Sequence, residues 1–407
     1  MARELAPADL RTAIDMRRLR GYRLGRVRAQ MRRENCAACI LFNPINIRYA
    51  TGTRRSAVFT LHNPARYAII VADGPVILFD YHNVGHLYRD IETIDEYRTS
   101  SSWYFFGAGP RYDEKARQWA AEIADIISAH GGKHGRIAVD RMDSIGTAAL
   151  AEYGFSILNG QELLEYARCI KSADELACIG VVMAVCETGM SRMLDALKPG
   201  LTENELWAIL HHTNIALGGE WIETRLLSSG PRTNPWYQEC GERVIRPGDL
   251  VGFDTDLVGP FGYLADISRT FLCGPKRPTV DQKRLYGLAY EQLYHNLALL
   301  KAGVSFREFA ERSWKVPPEF VANRYLMLVH GAGMVDEYPI VPFPQDFAGY
   351  GYDGVFEENM VVCVESYIGE ENGTEGVKLE EQVVITRTGA TNLCSFPFEE
   401  ALLGRMV

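Results

Sequence analysis

The sequence predicts an α+β protein in which a smaller α/β domain precedes a larger domain of helices on a largely antiparallel sheet. The chain has 407 residues, too many for one ordinary hydrophobic core. Its first part alternates short apolar runs with helical segments, whereas its second part carries capped helices followed by longer apolar runs. We therefore place the N-terminal domain at residues 1–169 and the C-terminal domain at residues 170–407.

The N-terminal domain is predicted to begin with an arginine-rich helical arm at roughly residues 8–34. Short apolar runs then predict four strands, at residues 37–42, 67–71, 75–79 and 136–139. Residues 116–130 have a helical pattern. Cys36 and Cys39 have the spacing of a redox or zinc half-motif, but no second pair lies near them, so a buried strand is the better interpretation.

Helix caps and strand signals predict the C-terminal domain. A Ser or Thr followed three residues later by Glu or Gln has capping-box spacing, and this pattern predicts helix starts at Ser172, Thr202, Thr279 and Ser305. Apolar runs predict strands at residues 250–256, 268–273, 360–367 and 382–386. Helices that cover one face of such a sheet give an α+β catalytic domain.

Composition indicates a globular protein of the cytoplasm. Hydrophobic residues make up 47% of the chain and charged residues 23%, and no run of about 18 apolar residues exists, so we expect no membrane-spanning helix. The net charge of -9 argues against a nucleic-acid partner. Residues 1–33 lack the apolar stretch of a secretory signal, and nine scattered cysteines favour reduced thiols.

Acidic residues stand beside the predicted strands of the C-terminal domain rather than on solvated helix faces. Asp254 and Asp256 lie two positions apart, so on a strand they would point to the same face. Asp266 precedes the next strand, Glu365 follows an apolar run, and Glu380 comes just before another. Carboxylates gathered in one low-dielectric place repel each other unless cations neutralise them.

These five acids and His330 predict a site for two metal ions. His330 is the only histidine in the last 110 residues, and small residues follow it. Carboxylates and one imidazole form a hard, oxygen-rich set that suits Mn, Fe, Co or Zn. A structural role for His330, and an indirect role for Asp256, are the alternatives.

This ordered series resembles the pita-bread metallopeptidases, the superfamily of methionine aminopeptidase, prolidase and creatinase. The series is Asp, Asp, His, Glu, Glu, with Gly262-Tyr263 before Asp266 and Arg269-Thr270-Phe271 after it. Further matches are Asn46-Ile47-Arg48-Tyr49-Ala50-Thr51-Gly52, Ile170-Lys171-Ser172, Ser229-Gly230-Pro231, Pro247-Gly248-Asp249 and Gly376-Val377-Lys378-Leu379-Glu380. The resemblance covers residues about 20 to 395 and implies the pita-bread fold and a dinuclear metal site.

Three departures separate the chain from the peptidases of this superfamily. Asp254 and Asp266 are twelve positions apart instead of eleven, and Asp256 is an extra acid. Trp236 and Tyr237 stand where a peptidase has a histidine after the Ser-Gly-Pro segment, and Asp336 stands where its second histidine belongs. Those histidines assist amide hydrolysis. An Asp beside the metals is instead a candidate base, which we expect burial to strengthen, and it suits proton abstraction next to a carboxylate.

The residues at these positions resemble the pattern of the dimethylsulfoniopropionate lyase branch of the superfamily. The resemblance implies cleavage of dimethylsulfoniopropionate into dimethyl sulfide and acrylate by a homodimer, with iron as the metal, Asp336 as the base and Tyr325 in contact with substrate. The substrate is a zwitterion, and aromatic faces attract its sulfonium. Trp236, Tyr237, Tyr325 and Trp103 are therefore candidate contacts, with core packing as the alternative for each.

Two other functions remain open from the sequence. A peptidase or amidohydrolase that resembles Xaa-Pro dipeptidases would use the same metal ligands. A binding module that has kept the fold but lost its metals would need none of them, and the complete set of ligands argues against that hypothesis.

Overall fold

The computed structural model describes residues 14–132 and 135–404, so residues 8–13 of the predicted arm lie outside the described residues. The chain divides into two compact units, one comprising Asp15–Arg168 and the other containing the chain from Cys169 onward.

The first unit is a six-stranded mixed sheet with helices. Its helices are α1 (Met16–Arg33), α2 (Pro44–Thr51), α3 (Ala57–His62), α4 (Phe105–Ala108), α5 (Tyr112–Ala129), α6 (Ser144–Ala151) and α7 (Gly160–Arg168). Its strands are β1 (Cys36–Leu41), β2 (Tyr67–Val71), β3 (Val76–Asp80), β4 (Glu96–Thr99), β5 (Arg136–Val139) and β6 (Ser156–Asn159). The strand order is β4-β3-β2-β1-β5-β6, and β1, β2 and β3 are antiparallel neighbours while the other pairs are parallel.

The strands predicted from apolar runs in this unit are confirmed. β2 and β5 have the predicted bounds, and β1 and β3 are displaced by one residue. All residues of β2 and β3 are buried, which is why their sequences are continuous apolar runs. Cys36 and Cys39 are buried in β1 as unpaired thiols, as expected for a core strand.

The second unit contains three antiparallel sheets and helices. Its helices are α8 (Ala173–Ala196), α9 (Glu203–Ala216), α10 (Val280–Leu297), α11 (Phe306–Arg312), α12 (Phe347–Tyr350) and α13 (Glu400–Leu403). The sheet orders are β14-β13-β15-β16-β17, β12-β9-β8 and β11-β10-β7. The strands are β7 (Trp221–Ile222), β8 (Leu227–Ser229), β9 (Leu250–Asp254), β10 (Leu257–Val258), β11 (Leu264–Ala265), β12 (Ser268–Leu272), β13 (Val329–Ala332), β14 (Asp336–Val341), β15 (Val361–Gly369), β16 (Gly376–Ile385) and β17 (Ala390–Asn392).

The predicted helix caps of this unit are confirmed. Ser172, Thr202 and Thr279 each form a reciprocal capping box with the residue three positions on. Ser305 caps α11 with a single bond, in which its side chain accepts a hydrogen bond from the backbone N–H of Glu308. These side chains satisfy backbone N–H groups that the first turn of a helix leaves unpaired.

Strand β16 begins six residues earlier than the apolar run predicts, at Gly376 instead of residue 382. The missed part contains Lys378, Glu380 and Glu381, whose charges hide the strand pattern. All three are nonetheless fully buried. A strand with charges on its buried face has no apolar periodicity to detect. The error in the predicted start of β16 therefore falls on a segment whose charged side chains are buried, which is uncommon in a protein core.

Among the described residues, α8 is a helix long and apolar enough to cross a membrane by length and composition. In the most apolar 18-residue window of this helix, 56% of the residues are buried within the fold. Val181, Val185 and Cys186 are fully enclosed, which is the burial of a core helix that packs on several sides.

Candidate metal centre

Strands of the second unit converge on one buried group of acidic side chains. Glu365 on β15 and Glu380 on β16 are directly opposite each other in the antiparallel register. Asp254 is the last residue of β9, and Asp266 lies between β11 and β12. His330 is on β13, which lies between β14 and β15 in its sheet.

The ligand atoms of these side chains lie close enough to share metal ions. They form three overlapping groups, and within each group the ligand atoms all lie within 4.8 Å of one another. The groups are Asp254, Asp256 and Asp266; Asp254, Glu365 and Glu380; and Asp266, His330, Cys363 and Glu380. Every member is buried, and the structure thus brings together all six residues that the sequence singled out.

Asp256 reaches the cluster by a route that differs from the prediction. We expected Asp254 and Asp256 to point to one face of a strand, but β9 ends at Asp254. Asp256 instead has a φ of 36°, in the left-handed region that few non-glycine residues adopt. The side chain of Thr224 donates a hydrogen bond to its carboxylate. This left-handed backbone conformation therefore directs Asp256 into the cluster, and strand alternation does not.

His330 faces the acids with one ring nitrogen and Asp336 with the other. Its Nε2 lies 3.3 Å from Glu365 and 3.6 Å from both Asp266 and Glu380. Its Nδ1 lies 3.4 Å from Oδ1 of Asp336 and 3.2 Å from the carbonyl oxygen of Gly331. An Nε2 aimed at a metal and an Nδ1 aimed at oxygen is the usual arrangement of a metal-ligating histidine.

Lys378 lies inside the acidic cluster, although no role for it was predicted from the sequence. Its Nζ is 2.6 Å from Glu365, 3.1 Å from Asp254 and 3.2 Å from Glu380. It also donates to the hydroxyl of Ser268 at 2.6 Å. The side chain is fully buried, so this ammonium partly neutralises the carboxylates in an environment that water does not screen.

The cluster shifts the pKa values of its members because it is buried and crowded. Burial raises the pKa of Asp254 and Asp266 well above the usual range, and the nearby Glu380 raises both further. Burial likewise raises the pKa of Asp256 to about 7. Burial acts on the pKa of Glu380 in the same direction, but Lys378 and His330 outweigh it and hold that pKa below its usual range. Such opposed shifts are typical of functional sites.

Asp336 is more exposed than the sequence predicts. It begins β14, and 61% of its side chain is accessible. The expectation that burial would strengthen this residue as a base is therefore wrong for the described chain. The reason is local: on β14 the side chains of Glu337 and Pro339 turn inward, so Asp336 turns outward.

Three of the four predicted aromatic contacts lie in the unit that contains the cluster. The Tyr325 ring centroid is 4.6 Å from Nζ of Lys378, and the Trp236 ring centroid is 5.9 Å from it. Tyr237 stacks on Tyr325 with ring centroids 5.3 Å apart. Trp103 belongs to the core of the first unit, where it is 5% exposed and its indole N–H donates to Asp143. We therefore leave Trp103 out of the proposed substrate site.

Comparisons with known proteins place the chain in a family. Residues 177–387 match the model of metallopeptidase family M24, and residues 23–170 match the creatinase/prolidase N-terminal domain. The dimethylsulfoniopropionate lyase DddP of Roseovarius nubinhibens is 40% identical over 96% of this chain and 89% of its own length. The protein of that name from Roseobacter denitrificans is 37% identical over 98% of this chain and 92% of its own length.

This chain belongs to metallopeptidase family M24, among the DddP proteins. The resemblance found in the sequence is thereby confirmed. Among solved structures, an Xaa-Pro dipeptidase from Bacillus anthracis has a TM-score of 0.74 at 21% identity and covers 93% of this chain, with 98% of that structure matched. At that identity the likeness shows the fold alone, and it confirms the predicted pita-bread architecture.

The cluster of this M24 protein fits divalent metal ions. Oδ1 of Asp254 and Oε1 of Glu380 are buried and have no hydrogen-bond partner among the described residues. A buried carboxylate oxygen without a partner is costly unless a cation meets it. The donors are five carboxylates and one imidazole, which suit a divalent transition metal.

Three residues around the acids escaped the sequence analysis, and one of them had a detectable signal. Cys363 lies two positions before Glu365 on β15, so alternation places its thiol on the same face, opposite His330 in the register. Thr224 and Lys378 gave no such signal, because a hydroxyl or a lysine outside a recognised element is ordinarily solvated.

Proposed function

We propose that this protein is a dimethylsulfoniopropionate lyase that releases dimethyl sulfide and acrylate by β-elimination. The observation that carries this proposal is the similarity to two DddP lyases over nearly the whole chain. The site agrees with it, because an aspartate stands next to His330 where the peptidases of the superfamily have a histidine.

Asp254, Asp256, Asp266, His330, Glu365 and Glu380 would hold two divalent metal ions. Their oxygen-rich donor set and the two buried oxygens without partners support this assignment. When bound, the ions would anchor the substrate carboxylate and stabilise negative charge that develops on it.

Asp336 is the proposed base. Its exposed carboxylate can accept the proton from the carbon next to the substrate carboxylate. The electron pair of that C–H bond becomes the new carbon–carbon double bond, the bond between the β-carbon and sulfur breaks, and sulfur leaves with its pair as neutral dimethyl sulfide. Asp336 lies beside the cluster, with its Oδ1 3.4 Å from Nδ1 of His330.

Three finer properties belong to the proposal. Iron is the proposed metal, although Mn, Co and Zn suit the same donors. A homodimer is proposed from the family resemblance. A cytoplasmic location is supported by nine buried cysteines, all of them free thiols.

The second candidate function is that of an Xaa-Pro dipeptidase or aminopeptidase. It is favoured by the family M24 match and by the peptidase structures with the same fold. It is disfavoured by the residues at the two histidine positions, Trp236-Tyr237 and Asp336, because none of these side chains supplies the imidazole that assists amide hydrolysis in the peptidases.

The test is to incubate purified, metal-loaded protein with dimethylsulfoniopropionate and to measure dimethyl sulfide and acrylate. The lyase proposal predicts equal amounts of both products, and chelation of the metal should stop their formation. Xaa-Pro dipeptides serve as the comparison substrates. Dipeptide cleavage without release of dimethyl sulfide would replace the lyase with the peptidase function.

A further inference from the structure

Aromatic rings near the cluster differ in whether they can still accept a cation. Lys378 already lies at cation–π distance from two of them, 4.6 Å from the centroid of Tyr325 and 5.9 Å from that of Trp236. The ammonium is itself fully buried and is held in place by three carboxylates and the Ser268 hydroxyl. These two rings therefore already interact with a cation of the protein itself, the ammonium of Lys378.

Neither of these two rings offers much free surface. Tyr325 is 8% exposed and Trp236 is 6% exposed. A second cation brought to them would also meet the charge of Lys378 at short range, and like charges repel strongly where water does not screen them. The buried aromatic faces thus disfavour a sulfonium, and the carboxylate is the end of the ligand that we expect on the buried side.

Tyr237 differs from both in exposure and in backbone conformation. It is 52% exposed, and its ring stacks on Tyr325 with an interplanar angle of 17°. Its φ is 74°, in the left-handed region that is costly for a bulky residue. Strained backbone of this kind persists where the surrounding structure enforces it, often at ligand sites.

From this geometry we infer that Tyr237 is the residue that selects the cationic end of the substrate, while Lys378 excludes that end from the buried aromatic faces. The substrate is then bound in one orientation, with its carboxylate toward the acidic cluster and its sulfonium on the exposed ring of Tyr237. This inference rests on the proposed lyase function and adds to it the residue that recognises the positive charge of the substrate.

A neutral isostere of the substrate tests the inference. In 4-methylpentanoate a CH group replaces the sulfonium sulfur, so the shape and the carboxylate remain while the positive charge is lost. KM and kcat for dimethylsulfoniopropionate and the inhibition constant of 4-methylpentanoate would be measured for three metal-loaded enzymes: wild type, Tyr237→Phe and Tyr237→Asn. Asn removes the ring and tolerates the left-handed backbone.

Tyr237→Asn should raise KM for dimethylsulfoniopropionate about tenfold and leave the inhibition constant of 4-methylpentanoate within about twofold of wild type. Tyr237→Phe keeps the ring face and should match wild type for both ligands. Equal effects of Tyr237→Asn on the two ligands, or no effect on either, would overturn the inference. Absence of dimethyl sulfide from the wild-type enzyme would refute the proposed function itself.

Discussion

Glu365 and Glu380 are directly opposite each other on β15 and β16, and both side chains are buried. Like charges in this cross-strand position are destabilising. Lys378 reduces the repulsion, with its Nζ 2.6 Å from Glu365 and 3.2 Å from Glu380. Five carboxylates carry five negative charges, the ammonium cancels one of them, and two divalent ions would cancel the other four. The cluster is therefore neutral when two such ions are bound.

Replacing Lys378 with Met should destabilise the metal-free protein more than the metal-loaded protein. Without metal, the substitution leaves buried carboxylates uncompensated, at a cost of about 3–5 kcal/mol in the free energy of unfolding. Bound cations would offset part of that loss. Urea denaturation with and without a chelator measures both values.

Lys171→Met is the matched control for Lys378→Met. Lys171 is also buried and pairs at 3.1 Å with Glu337, which is not one of the six proposed ligands. Its replacement should cost similar stability in both metal states. A loss for Lys378→Met that does not depend on metal would show that the ammonium has no part in balancing the metal site.

The metal-free protein should become less stable as pH rises from about 5 to about 8. Burial raises the pKa of Asp256 to about 7, and it raises the pKa of Asp254 and Asp266 well above the ordinary value of 3.8. Burial alone would lower the pKa of His330, but Asp336 and Glu365 raise it well above 6.5. The folded state thus binds more protons than the unfolded state, and stability is lost as these protons dissociate.

This pH effect has an opposite counterpart in metal binding. Metal ions bind the deprotonated carboxylates, so their affinity should rise with pH over the same window. Urea midpoints at pH 5.5 and 7.5, with chelator and with saturating metal, separate the two effects. A metal-free protein that is more stable at the higher pH would contradict the buried, proton-binding cluster.

Thr224→Val should weaken metal binding about tenfold, because the Thr224 hydroxyl donates to Asp256 and orients a proposed ligand. Ser366→Ala is a suitable control, since Ser366 follows Glu365 on β15 but donates to the carbonyl of Ala289. Metal titration followed by calorimetry should change for the first variant alone. Equal affinities for Thr224→Val and wild type would remove Asp256 from the ligand set.

The metal cluster was the most predictable part of the molecule, for a local reason. An apolar strand followed by an acid is visible in the sequence, and Asp254 and Glu365 have that signal. What the sequence could not reveal depends on contacts between distant elements. Neighbouring strands and loops set the exposure of Asp336, the left-handed backbone of Asp256 and the pairing of Lys378, and no periodicity encodes them.

The fold class was predictable because helix caps and apolar runs are local features. Among the predicted strands, β16 had the largest error in its start, since its charged half is stabilised by partners on β9, β12 and β15. Lys378 meets Asp254 and Glu365 there, and Arg269 reaches Glu381. A strand whose buried charges are satisfied only in the folded protein has no apolar signature, so this failure coincides with the functional site.

The most direct test of the account is Asp336→Asn, with dimethyl sulfide release and metal content measured on the same preparation. Loss of the base should reduce the release rate by about 10²–10⁴-fold while the metal content stays at the wild-type value. Asp281→Asn, at a carboxylate of similar exposure on α10, should change neither. An Asp336→Asn enzyme that keeps its rate, or that loses metal in proportion to its rate, would contradict a proton-abstracting Asp336 beside an intact metal site.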